Sequence, residues 1–158
     1  MAIRNIVKEG DEVLRKRSKE VKEINDKIRE LFEDMKETLR KTGNGIGIAA
    51  PQVGILRRMI VIDLGEGPIE IINPVIIEQQ GEQVEVEGCL SVPGVFGEVK
   101  RPAQMVVEYT NLDGEKVKVE ATDLLARCLS HEIDHLDGIL FIDKVIRYVD
   151  LNDEQEQE

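Results

Sequence analysis

The chain has two histidines, His131 and His135, four residues apart in the stretch Cys128-Leu129-Ser130-His131-Glu132-Ile133-Asp134-His135. On a helix, residues i and i+4 project from one face about 6 Å apart along the axis, so both imidazoles can close on one metal ion. Glu132 lies beside the pair, where a carboxylate can take a proton from water that a metal has made acidic. Without it, two helical histidines read equally well as ordinary surface or core residues. A catalytic site of this kind takes three protein ligands and keeps one position open. No histidine follows His135. Among the acids downstream, Asp137 points off the ligand face, Asp153 and the terminal glutamates belong to a tail that should fray, and Asp143 remains. Cys128 shares the histidine face, but a metal level with residue 133 lies about 7.5 Å along the axis from it, against a metal–sulfur bond of about 2.3 Å. It reads as a pocket wall or a small buried residue. Cys89, in VEVEGCLSVPG, follows an alternating strand and a glycine, where the chain can turn a thiolate toward a helix. A lone cysteine there is more often core than ligand, but a histidine pair lacking a partner reverses that preference.

These residues need elements to hold them. Ile28, Leu31, Phe32, Met35 and Leu39 recur at helical spacing over 26–42, with Asn25 able to cap the start and Gly43 the end. From residue 57 the pattern changes to short β-type runs, RRMIVIDL, IEIINPVIIE, EQVEVEG and QMVVEYTNLDGEKVKVEAT, the last folding into a hairpin at Asn111–Gly114. A second helix should start at Thr122, a candidate N-cap, and run to Gly138, so the histidines sit on a helix. The loop GNGIGIAAPQVG at 43–54 lacks the third glycine and the preceding strand of a dinucleotide fingerprint. It reads either as a tight turn with Gln52 exposed or as backbone kept bare at Gly45 and Gly47 for the close approach of a strand or substrate.

At 158 residues, one domain over 1–150 with an acidic flexible tail at 151–158 is expected. Hydrophobic residues make up 41% and aromatic residues 3%, so the interior must be aliphatic. A net charge of −11 repels phosphate backbones and anionic lipid, so neither direct nucleic-acid recognition nor membrane binding is expected. The charged opening MAIRNIVKEGDEVLRKRSKEV has no apolar run suited to a signal peptide or a span, which points to the cytoplasm. Two cysteines without an export signal are poor evidence for a disulfide.

Three segments occur in order: Gly45-Ile46-Gly47-Ile48-Ala49-Ala50-Pro51-Gln52, Glu87-Gly88-Cys89-Leu90-Ser91, and His131-Glu132-Ile133-Asp134-His135. The chain thereby resembles the peptide deformylases, which carry G-x-G-x-A-A-x-Q, E-G-C-L-S and H-E-x-D-H in this order. The likeness extends over DEVLRKRSKEV and SVPG…VKRP, nearly the whole chain. It implies a small α+β domain, with antiparallel sheets around a central metal-binding helix. It implies that Cys89, His131 and His135 hold one divalent ion, Fe(II) natively, with Zn, Ni or Co able to replace it. It also implies hydrolysis of N-formylmethionyl peptides to release formate: Glu132 moves the proton, Gln52 and the Leu90 N–H stabilise the oxyanion, and Gly47 with the strand before Cys89 pairs with the peptide. Leu124 and Cys128 would line the methionine pocket, and Glu87 and Arg101 would pair to fix the Cys89 loop. Ser130 stands where many members have Gln, and the acidic terminus argues against a ribosome contact made through the tail. Competing readings are a zinc peptidase with Asp143 as third ligand, a thiol hydrolase with Cys89 as nucleophile, and a structural metal module, which would need a fourth ligand.

Overall fold

Asn25 accepts a hydrogen bond from the Ile28 N–H at 3.0 Å and so starts α1 (Asp26–Thr42). Gly43, at φ +78°, ends it. The buried face of α1 is the expected one, and it also carries Asp34, which takes the Ala2 N–H and the Arg4 guanidinium and pins the start of the chain. The structure, a computed structural model, describes residues 2–150; the tail expected over 151–158 lies outside the described residues.

Eight strands follow: β1 (Gly47–Ala49), β2 (Met59–Ile62), β3 (Ile69–Gln80), β4 (Gln83–Cys89), β5 (Val92–Arg101), β6 (Gln104–Thr110), β7 (Lys116–Thr122) and, after α2 (Asp123–Leu136), β8 (Val145–Val149). All pairings between them are antiparallel and make two sheets, β1-β2-β3-β6-β7 and β4-β5-β8. Helix α2 packs against strands of both, so the α+β arrangement around a central helix is the observed one. Strand β2 is apolar at every position because both its faces are covered: Met59 and Val61 pack with α1, Ile60 and Ile62 with α2. The aliphatic interior follows from that sandwich. No helix among the described residues is long and apolar enough to cross a membrane.

The hairpin forms as expected, with Asn111 Oδ1 accepting from the N–H groups of Asp113 and Glu115 at 3.0 Å. Strand β3 contains Pro74, which its register accommodates with an irregularity between Ile72 and Val75. There Asn73, at φ +51°, clamps both the N–H and the C=O of Val21 with its side chain. Strands β1, β5 and β8 were not expected: β1 is three residues long, and β5 carries Pro93 and Gly94 directly after its first residue. Thr122 does occupy the N-cap of α2, but its side chain makes no capping bond. The chain instead enters the helix directly from β7 through Asp123 at φ +52°, whose N–H is given to Ala103 O.

After α2 the chain turns at Gly138 (φ +77°), where an added Cβ would lie 2.5 Å from the Arg15 carbonyl oxygen; at Gly43 an added Cβ meets nothing. Gly43→Ala should therefore cost only the left-handed penalty of about 1–2 kcal/mol, and Gly138→Ala clearly more. Urea unfolding of the two variants checks the order.

Candidate active site and metal centre

Helix α2 buries His131 and His135 against the end of β4. Donor atoms of Cys89, His131 and His135 lie within 4.8 Å of one another, the only such three-residue group among the described residues. Cys89 Sγ is 3.3 Å from His135 Nε2, and the two imidazoles sit 5.1 Å apart with planes at 63°. The alternatives for the third position fall on geometry. Asp143 is taken by Arg15 at 2.5 Å and by the Leu140 N–H at 3.0 Å. Cys128 lies outside the group, and burial, then the nearby Glu132 and Glu87 charges, push its thiol pKa well up, so it stays a neutral wall.

Behind the histidines lies Glu87. Its Oε1 accepts from His131 Nδ1 at 2.8 Å and from Arg101 Nη2 at 3.0 Å; its Oε2 accepts from Arg101 Nε at 3.0 Å and from Arg127 Nη1. Arg101 also donates to Asp134 Oδ2 at 2.6 Å and to Ser130 Oγ at 3.3 Å, and Lys144 pairs with Asp134. The expected Glu87–Arg101 pair is thus one edge of a larger buried network. Arg127 and Asp134 were missed, although they stand four before and three after His131 and so share its helical stripe. Burial raises the Glu87 pKa, but hydrogen bonds from His131 and Arg101 outweigh it and bring it to about 2.

Glu132 is 4% exposed, its Oε1 has no partner, and its pKa is pushed up to about 7, chiefly by burial. Gly47 leaves room for it, since a Cβ there would lie 2.6 Å from Glu132 Oε2. Gln52 is buried rather than exposed. Its Oε1 accepts from the Ala49 N–H at 2.9 Å, and its Nε2 donates to Ser91 Oγ at 3.2 Å and faces Cys89 Sγ at 3.6 Å. These groups line a cavity of about 520 Å³ whose apolar wall includes Ile46, Val86, Leu90 and Cys128, with Leu124, half exposed, at its mouth. A larger groove of about 1130 Å³, between residues 17–31 and 54–58, contains none of them.

A thiolate and two imidazoles suit borderline divalent metals. The two imidazoles are shifted in opposite directions. Burial lowers the His131 pKa, yet hydrogen bonds to Cys89 and Glu87 carry it up to about 10. Burial, then the His131 and Arg101 charges, hold His135 well below its usual value and so neutral, as a ligand must be. The residues therefore fit such an ion. With a partnerless carboxylate and an apolar pocket beside that donor set, the class is a metal-dependent hydrolase. The family model for polypeptide deformylase matches residues 3–150. Peptide deformylases from Acetivibrio thermocellus and Thermoanaerobacter pseudethanolicus are 60% and 56% identical over 157 residues, 99% of this chain and 91% and 98% of theirs. Among solved structures, the peptide deformylase from Thermotoga maritima superposes with TM-score 0.89 at 42% identity, covering 92% of this chain and 99% of that one. That from Synechococcus elongatus, in complex with actinonin, gives 0.87 at 42%, covering 96% and 84%. The chain belongs to the polypeptide deformylase family.

Glu87→Gln would keep the shape but leave Arg101 and Arg127 facing a neutral amide. Metal affinity should fall about 10–100-fold, as when the partner orienting a ligating histidine is lost. Competition against a chromophoric chelator reads it, and an unchanged affinity would show that the network does not hold His131.

Proposed function

We propose that the chain hydrolyses the formyl group from N-formylmethionyl peptides, releasing formate, with Cys89, His131 and His135 holding the metal and Glu132 moving the proton. The observation that carries this is the Cys-His-His donor set, two of whose members, Cys89 and His131, line one cavity with Glu132, whose Oε1 has no partner. A divalent ion held by those three ligands supplies Lewis acidity, lowering the pKa of water and polarising a carbonyl. We take Fe(II) as the native ion; the same donors suit Zn, Ni or Co.

Glu132 is positioned to accept a proton from the attacking water, aided by a pKa near neutrality. Water oxygen bonds to the formyl carbon, the C–N bond breaks, and Glu132 returns the proton to the departing amine. Negative charge gathers on the formyl oxygen, and Gln52 Nε2 with the Leu90 N–H are the donors that meet it. Gln52 is preorganised because its carbonyl end is fixed by the Ala49 N–H. Strands β1 and β4 are edge strands of their sheets, and both line the cavity. A peptide laid along them gains backbone hydrogen bonds at Gly47 and before Cys89, and its methionine side chain enters the apolar wall near Cys128. A formylated nascent chain as substrate supports a cytoplasmic location, with transient ribosome contact as chains emerge.

Formate release from a formyl-Met tripeptide, with metal measured in the same samples, tests the reading. Glu132→Gln should keep its metal and lose about 10²–10⁴-fold in kcat. Cys89→Ala should lose metal and activity together, whereas Asp143→Ala should keep both. Formate release persisting after complete removal of the metal by a chelator would contradict the reading.

A further inference from the structure

The two oxyanion donors come from different sheets: Gln52 from the turn after β1, and Leu90 from the turn after β4. Nothing in either sheet's ladder fixes their separation, because β1 and β4 are unpaired with each other. The chain's first extended segment crosses this gap. The Val7 N–H donates to Gln52 O at 2.7 Å, and the Glu9 N–H donates to Ser91 O at 2.7 Å. Between them, Lys8 Nζ donates to Leu90 O at 3.3 Å. Residues two apart in an extended chain present their N–H groups to the same side, so one short stretch ties peptide groups on both banks. Val7 packs against the cluster that holds Leu14 and Val92, as Cys89 does, which seats the segment. The Gln52 side chain adds hydrogen-bond contact across the gap, through Ser91 Oγ and Cys89 Sγ, and Leu90 packs against the cluster that holds Ile48, Ala50 and Val53.

We infer that Val7-Lys8-Glu9 is a staple that sets the spacing of the Gln52 and Leu90 donors, so that these three are positioning residues for the deformylation step though they lie outside the cavity. The inference rests on the assignment of Gln52 and Leu90 as oxyanion donors. Bonds from two backbone N–H groups and one ammonium hold the carbonyl side of the Gln52, Leu90 and Ser91 peptide units rather than Gln52 Nε2 or the Leu90 N–H. Loss of the staple should let the two banks drift by a fraction of an ångström. Misplacement on that scale lowers the rate of a preorganised site without removing the metal or closing the peptide groove.

The test replaces the Val7 or Glu9 amide by an ester, through the corresponding α-hydroxy acid, which removes the N–H and keeps the side chain. Kinetics of the metal-loaded enzyme on a formyl-Met tripeptide should show kcat down about tenfold for each ester, KM within about twofold and metal content unchanged. Lys8→Met should lose about threefold in kcat, and Lys8→Arg should restore it. In the metal-free protein, the Gln52 side-chain amide signals in a two-dimensional 15N NMR spectrum should broaden or split on the Val7 ester. The deciding measurement is the Val7 ester in a Gln52→Ala background. A positioning role acting through Gln52 predicts little further loss there; an equal loss in both backgrounds, as from a general weakening of the fold, overturns the staple. It is also overturned if the esters leave kcat unchanged while Gln52→Ala lowers it. If Gln52→Ala itself leaves kcat unchanged, the oxyanion assignment has failed, and any loss from the Val7 ester is then not positioning through Gln52.

Discussion

The structure depends on one buried carboxylate. Glu87, 7% exposed, projects from β4 and is met by Arg101 from β5 and by Arg127 and His131 from α2. A lone carboxylate at that depth would cost several kcal/mol or pick up a proton. Two guanidiniums and an imidazole hold it ionised, so the smaller sheet and the central helix cannot separate without exposing a mismatched charge. The same arrangement orients His131: with Nδ1 committed to Glu87, its Nε2 is left for the metal side. Buried ion networks are poor sources of net stability, because desolvation offsets attraction, but they specify one geometry over its near neighbours. Here that geometry is the angle between α2 and the end of β4, which sets the distance from both histidines to Cys89.

The rest of the site shows a fold accepting local cost for chemistry. Glu132 Oε1 and His135 Nδ1 are buried without a partner. Such groups are scarce in native interiors and cluster where a reaction uses them. Gly47 contributes by what it lacks, since any side chain there would meet the Glu132 carboxylate and the Cys128 sulfur. Edge strand β1 lines one side of the cavity and the end of edge strand β4 another, so two sheet edges meet around it over one helix.

Much of this was legible in the chain. Helix α1, its caps, the Asn111–Gly114 hairpin and the β2 run follow from local periodicity and turn chemistry. Axial distance on the helix set Cys128 aside and a histidine pair without a partner pointed to Cys89, whose sulfur the fold does bring within 4.8 Å of both imidazoles. Less legible were features set by partners distant in sequence. Burial of Gln52 depends on Ser91 and Cys89, some 40 residues away, and a polar residue in a glycine loop gives no local sign of it. Arg127 and Asp134 read as solvated helix charges until Glu87 and Arg101 are brought against them. Thr122 has the right residue type for a cap, but the left-handed step at Asp123 leaves its hydroxyl unused. Strands β1 and β8 form because a neighbour offers an edge, and their own sequences are too short to announce it.

The central claim is that Glu87 and the geometry it enforces bring one sulfur and two imidazole nitrogens to a single ion. X-ray absorption at the metal edge of the zinc-loaded protein measures that shell directly. The account predicts one sulfur at about 2.3 Å and two imidazole nitrogens at about 2.0–2.1 Å. A shell of nitrogen and oxygen without sulfur would contradict it.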